Sequence, residues 1–310
     1  MDIIALLTVN IIPLYLLVAA GYVAGRWMDV NLHSMAIIAI YFLAPLVNFG
    51  AMMNLDFNPA YTILPLVVLA GSVSIGCITY YSARKRWSDN SANLIAMSSV
   101  TGNTGYFGFP IILALFDPHY AGIYLLINTA LLVSEAGLGY YFGARGNAGI
   151  KGAILKVIKL PVIHAIWIGL LLNMLGVEPA DLVIRYTDYA TGAWVIIGMM
   201  LIGIALGKQE KILFEPRLIK WLFTAKFILW PAFGAIVITA DRLFFHLFDG
   251  TIHAMLAILC AVPLAGNLVA YAAALHLRPE RVAGAVLAST LLALFTVPLA
   301  LMLVRLYENF

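Results

Sequence analysis

Residues 93–116 read NLIAMSSVTGNTGYFGFPIILALF, an apolar run interrupted by Thr101-Gly102-Asn103-Thr104-Gly105-Tyr106-Phe107-Gly108-Phe109-Pro110. Three glycines, a proline and three polar side chains fall within those ten residues. Glycine disfavours the helix, and proline removes a backbone donor and clashes with the preceding turn. Counted from a helix start near residue 91, Asn103 lies ~18 Å along the axis at ~1.5 Å per residue. That is close to the middle of a hydrocarbon layer ~30 Å thick. Unpaired backbone at such depth is tolerated only where protein or a polar cavity surrounds it. The stretch therefore predicts a membrane helix broken at its centre. Pro110 suits the first position of a second half-helix, where a missing N–H costs nothing.

The remaining sequence fits a membrane setting. Of 310 residues, 63% are hydrophobic and 11% charged, and the mean hydropathy is +0.98. Soluble domains carry about a quarter charged residues, and a soluble chain this apolar cannot cover its own surface. One span needs roughly 20 apolar residues, which leaves room for about ten and for no soluble domain. The apolar runs place them at about 3–24, 33–54, 61–82, 91–116, 119–142, 160–176, 185–207, 217–239, 253–276 and 280–304. Short clusters of charge, Gly, Pro or Asn separate them. The start, MDIIALL, has an acid and no basic segment, so the first run is expected to be a retained helix and not a signal peptide. Cys77 and Cys260 lie inside apolar runs and read as small buried hydrophobes, with no disulfide framework or metal cluster implied.

Fourteen of the 18 Lys and Arg residues fall in alternate loops and the adjoining helix ends, at Arg26, Arg84–Arg86, Arg145–Lys159, Lys208–Lys220 and Arg278–Arg281. The opposite side has Arg185, Arg242 and Arg305, and Lys226 lies within a span. Cytoplasmic loops carry the basic excess, so both termini are expected outside, on the periplasmic face of a cell membrane. The longest loop, around residues 143–158, divides the spans into two groups of five. An odd number per group forces the second to insert upside down. The expected organisation is a first five-helix repeat at 1–145, a cytoplasmic linker at 146–158 and an inverted repeat at 159–310. Inverted repeats are the common architecture of secondary transporters. The fold class is thus all-α and integral to the membrane.

The ninth span, HAMLAILCAVPLAGNLVAYAAALHL at residues 253–277, has Pro263 ~10 residues in, followed by Gly266 and Asn267. A lone proline often means only a kink. Here it falls at the fourth span of the second group, matching the break in the first. Each break frees N–H groups at the positive end of a half-helix, and two such ends meeting make a cavity suited to an anion. A carboxylate is expected on the half-helix starts at Pro110 and Pro263, with Gly105 in the loop and Asn103, Thr104 and Asn267 donating from side chains.

Asn48 either lines that cavity from a facing helix or makes an interhelical hydrogen bond. Glu135 stands well inside the fifth span, and intramembrane charges point to function. It either carries a coupling proton or binds a cation, or it pairs with Arg145 near the cytoplasmic end. Lys226 either neutralises a substrate carboxylate or snorkels to the cytoplasmic face, the reading preferred here. The Gly21/Gly25 and Gly203/Gly207 spacings permit close helix contacts. His119, His164, His246, His253 and His276 lie near helix ends and read as interfacial. Ser88-Asp89-Asn90 matches a fragment of a penicillin-recognising signature without its partner motifs. Neither a nucleophile–base pair nor a metal-ligating motif appears, so no catalytic or metal residues, cofactor or nucleic-acid partner are expected. An intramembrane enzyme or a sensor with an output domain is the contrasting class.

The Gly102-Asn103-Thr104-Gly105-x-x-Gly108-x-Pro110 run resembles the signature of the auxin efflux carrier family, which includes bacterial malate and malonate permeases. Ile12-Pro13, Gly21-Tyr22 and Arg26, Leu43-Ala44-Pro45-Leu46, and Val262-Pro263-Leu264-Ala265 with Asn267 agree with it. The resemblance implies two inverted five-helix repeats with crossing, broken fourth and ninth helices. It implies elevator-type alternating access against a scaffold of the first, second, sixth and seventh spans, and a homodimer. The substrates it implies are small organic anions: mono- or dicarboxylates such as malate or malonate, or auxin-like acids, with H⁺ or Na⁺ coupling open. The short central loop fits bacterial members, hence an inner-membrane location. The related bile-acid sodium symporters share the architecture, but their acidic sodium-site signature is missing from the ninth span.

Overall fold

The computed structural model describes residues 3–144, 150–210, 212–277 and 279–308. Arg145, Lys211 and Arg278 of the basic-loop count lie outside the described residues. Among the described residues the chain is all helical. In order the helices are α1 (Ile3–Trp27), α2 (Leu32–Met53), α3 (Pro59–Arg84), α4 (Ser91–Ser99) and α5 (104–115). Then come α6 (Tyr120–Gly143), α7 (Ile150–Ile158), α8 (Pro161–Met174), α9 (Asp181–Gly207) and α10 (Pro216–Phe245). The last are α11 (Gly250–Ala261), α12 (Leu268–Ala274) and α13 (Pro279–Glu308). Six of them (α2, α3, α6, α9, α10 and α13) are each long and apolar enough to cross a membrane, and α7 with α8 forms a bent pair at 60°. The protein is a multi-pass membrane protein.

The break clusters act as caps. Asn31 accepts from the Ser34 amide, Asn58 from Ala60 at 3.0 Å and Asp249 from Ile252 at 2.9 Å, each satisfying a donor that a helix start leaves free. Proline opens α8, α10 and α13, where its missing N–H is harmless. Part of the expected linker is helix α7, and α10 runs past the expected end at residue 239 to Phe245. Asp241 does not stop α10 because its charge is met inside the protein. Its carboxylate accepts the Leu247 and Phe248 amides and a hydrogen bond from His253 Nε2 at 3.0 Å. His253 is accordingly buried, not interfacial.

Three charges within the spans share one local device. Glu135, Lys226 and Asp241 lie in wide π-helical turns, at 134–139, 225–229 and 241–245. A π turn inserts one residue into the helical repeat and re-aims the side chains that follow. Such turns let an otherwise apolar helix direct a polar group inward.

Two groups of helices pack together. In one, α1 lies on α9 while α2 lies on α8 and α9; in the other, α3 packs on α4 and α6, and α13 on α11 and α12. The α1–α9 contact unites the two glycine pairs. A Cβ at Gly203 would come within 1.9 Å of the Val18 carbonyl oxygen, and one at Gly21 within 2.1 Å of the Met200 carbonyl oxygen. Only backbone this bare lets the helices meet. At the end that carries the basic loops, Arg281 makes a two-pronged ion pair with Glu215 at 2.6 and 2.9 Å and donates to Ser91 at 3.0 Å, tying together the starts of α4, α10 and α13.

Gly203→Ala is expected to destabilise the protein by about 1–3 kcal/mol through overpacking against backbone. Gly192→Ala on the same helix has open space around it and is expected to be neutral or slightly stabilising. Melting temperatures of the purified variants compare the two.

Candidate functional site

The fourth and ninth expected spans are each broken, and the breaks touch. α4 ends at Ser99 and α5 restarts at Thr104; α11 ends at Ala261 and α12 restarts at Leu268. The Asn103 amide N–H donates to the Pro263 carbonyl at 2.9 Å, while the Asn103 carbonyl accepts the Phe107 and Gly108 amides at 3.1 and 3.0 Å. Asn103 thus opens α5 with its carbonyl and joins the other break with its amide. Pro110 is not the start of the half-helix but lies six residues inside it. A proline fits the first turns generally, so its position alone did not fix the start. Likewise α12 begins five residues beyond Pro263.

Side chains from other helices hold this crossing. Thr104 donates to the Asn128 side-chain oxygen at 2.5 Å, and the Tyr124 hydroxyl donates to the Thr104 carbonyl at 3.1 Å. From α13, the Ser289 hydroxyl accepts the Leu264 amide at 3.2 Å and Thr296 donates to the Ala261 carbonyl at 3.1 Å. The Trp230 indole donates to the Ser99 carbonyl at 2.7 Å. All but the Thr104–Asn128 bond satisfy backbone that an interrupted helix would leave bare in an apolar interior.

Beside the crossing lies a cavity of about 90 Å³. Asn103, Thr104, Gly105 and Asn267 line it, as expected, and Glu135 joins them. Asn267 donates its amide to the Glu135 carboxylate, and the Tyr271 hydroxyl hydrogen-bonds the same group. The pairing of Glu135 with Asn267 ties α6 to the ninth-span break. Tyr106, Trp194 and Tyr271 complete the wall. Two buried donors there have no acceptor, Asn103 Nδ2 and Trp194 Nε1, and the Asn267 side-chain oxygen has no donor. A liquid water occupies about 30 Å³, so the space suits a small solute of a few heavy atoms.

Three expected residues stay off the cavity lining. Pro110 is buried within α5, and Pro263 serves through its carbonyl. Asn48 donates to the Ala44 carbonyl of its own helix at 2.8 Å, so its bond is neither to the cavity nor between helices. Lys226 does not snorkel: it is 1% exposed, with Nζ behind Gly102. Sequence reading missed Asn128, Trp194 and Tyr271 as site residues. Asn128 was detectable as an amide in an apolar run, and Tyr271 by its spacing of four from Asn267, which puts both on one helix face. Nothing local distinguishes Trp194.

Residues 6–136, which include the whole 101–110 run, match the family described as membrane transport protein. An uncharacterized transporter of Methanocaldococcus jannaschii is 23% identical over 152 residues. That alignment covers 47% of this chain and 49% of the relative, so the chain spans about half the length of the curated relative it matches. Both findings agree with the auxin efflux carrier resemblance carried by the 102–110 motif. The helices and the family match agree on a multi-pass membrane protein whose residues 6–136 are similar to membrane transport proteins.

Tyr124→Phe removes the hydroxyl that holds the Thr104 carbonyl, and a net loss of about 1 kcal/mol is expected. Reversible unfolding in mixed detergent micelles measures it.

Proposed function

We propose that the protein is a secondary carrier of short organic anions, mono- or dicarboxylates of malonate or malate size. The observation that carries this reading is the unpaired Asn103 amide donor, buried in a cavity where two helices break. A buried donor without a partner is costly, and a carboxylate oxygen is the acceptor it lacks. The start of α5 adds the first N–H groups and positive end of a helix. The roughly 90 Å³ available favours short acids over indole-bearing ones in this conformation. The family match favours a carrier over an intramembrane enzyme or a sensor.

The transport cycle we propose is elevator-like, with the group containing both broken helices moving against α1, α2, α8 and α9. The contact pattern supports this division and the inverted repeat. α1 on α9 and α8 on α2 are the same contact if residues 1–145 and 159–310 are two copies of one plan. The orientation with both termini outside rests on the basic loops, and the homodimer and the bacterial inner membrane on the resemblance alone.

Glu135 faces the same cavity. A carboxylate and an anion share a small cavity at tolerable cost only if a proton accompanies one of them. Glu135 is therefore our candidate for the coupling proton.

Purified protein in proteoliposomes is expected to take up labelled malonate or malate saturably. Asn103→Ala with Asn267→Ala is expected to reduce uptake at least tenfold, and unchanged uptake in the double variant would sink the site. An inward proton gradient is expected to stimulate uptake by the native protein. Glu135→Gln should abolish that stimulation while leaving substrate exchange, and a Gln variant that still responds to the gradient would remove Glu135 from the coupling.

A further inference from the structure

Lys226 is a buried charge that the cavity does not use. It lies in the π turn of α10 with 1% of its surface exposed. Its ammonium stands so close to Gly102 that a Cβ there would come within 2.7 Å of Nζ, and within 3.5 Å of Val262 Cγ2. Gly102 itself lines the cavity and Lys226 does not, so the ammonium sits directly behind the cavity wall. Among the described residues no carboxylate pairs with it. Its neighbours include the Trp230 ring, whose centroid is 5.3 Å from Nζ, and the Cys260 thiol, with which it interacts electrostatically.

An isolated ammonium in an apolar interior is costly, so something must favour it there. α4 ends with Val100 as its cap, two residues before Gly102, and α11 ends with Val262, the residue in contact with it. The ends of α4 and α11 therefore both lie beside Gly102, the residue that the Lys226 ammonium approaches. Each carries the partial negative charge of its last carbonyls, equivalent to about half an electron. Trp230 connects the parts, since its N–H takes the Ser99 carbonyl while its ring faces the ammonium.

We infer that Lys226 is a built-in counter-ion for the crossing: its ammonium offsets the negative C-terminal ends of α4 and α11, which meet beside Gly102. It is a positioning residue, holding Gly102 and Asn103 in place from behind and keeping positive charge next to the cavity in every state of the cycle. The crossing then requires no sodium ion for its integrity.

The sign of an apolar substitution tests this. If Lys226 were merely trapped in the interior, Lys226→Met, similar in shape and uncharged, would match or exceed the native protein in stability, because a desolvation cost disappears. As a counter-ion, its loss leaves two helix ends uncompensated. Full-length native protein and the Met, Gln and Arg variants at position 226 are melted in detergent with choline, sodium or ethylammonium chloride. The native melting temperature is expected to be the same in all three salts. The Met and Gln variants are expected to melt lower by roughly 5 °C or more in choline and to recover part of the difference in sodium or ethylammonium, whose ions fit the vacated space. Arg should keep native stability.

A Met variant as stable as the native protein in choline overturns the inference. So does a deficit that Arg shares and no cation relieves, since packing and not charge would then be at fault. If Met and Gln variants accumulate in no salt, accumulation of Arg supports the inference and its failure overturns it. No substrate enters these measurements, so their outcome is independent of what the cavity carries.

Discussion

The hydrogen bond from the Asn103 amide to the Pro263 carbonyl is the constraint around which the molecule is organised. A helix broken inside a membrane exposes donors and acceptors that neither lipid nor its own ladder can meet. Here the two breaks meet each other first. The remainder is covered by Trp230, Tyr124, Ser289 and Thr296 from three other helices. Among the buried polar atoms without a partner, Asn103 Nδ2, Trp194 Nε1 and the Asn267 side-chain oxygen belong to residues that line the cavity.

Charge is distributed on the same principle. The carboxylate of Asp241 is enclosed by amides and His253, that of Glu135 receives Asn267, and Lys226 stands at two helix ends. Each lies on a π turn. The widened turn admits a polar residue to the interior without a loop, which would itself need solvation. Helices of ordinary pitch supply the apolar surface, and local irregularities supply the chemistry.

Much of this was legible in the sequence. Apolar runs, capping residues and the density of glycine in 101–110 gave the helices and both breaks, because these depend on local chemistry. Asn103, Thr104, Gly105 and Asn267, read from the two breaks, line one cavity, and Glu135, read separately as an intramembrane charge, lines it too. What escaped depends on partners far along the chain. The start of α5 at Thr104 and not Pro110 follows from Pro263 claiming the Asn103 amide. Lys226 was read as snorkelling because a long stem inside a span usually carries its ammonium to a membrane face, and only the neighbouring helix termini make its burial intelligible. His253 is buried because Asp241 needs a donor, a pairing that eleven intervening residues conceal. Asn48 bonds within its own helix, which no spacing argument could separate from a bond across helices.

The bare glycine contact between α1 and α9 also governs the order in which the molecule can be assembled. α1 leaves the ribosome well before α9, and the surface that accepts Gly21 and Gly25 belongs to residues translated long afterwards. At synthesis rates of about 5–20 residues per second, α1 waits roughly ten to forty seconds for it. The Asn103–Pro263 bond imposes a similar delay on α5. The first half of the chain must therefore reside in the bilayer with its tightest contact unmade and its broken helix unpaired. During that interval lipid, an insertion factor or transient water has to shelter those groups, and it is then that the nascent protein is most vulnerable to quality control.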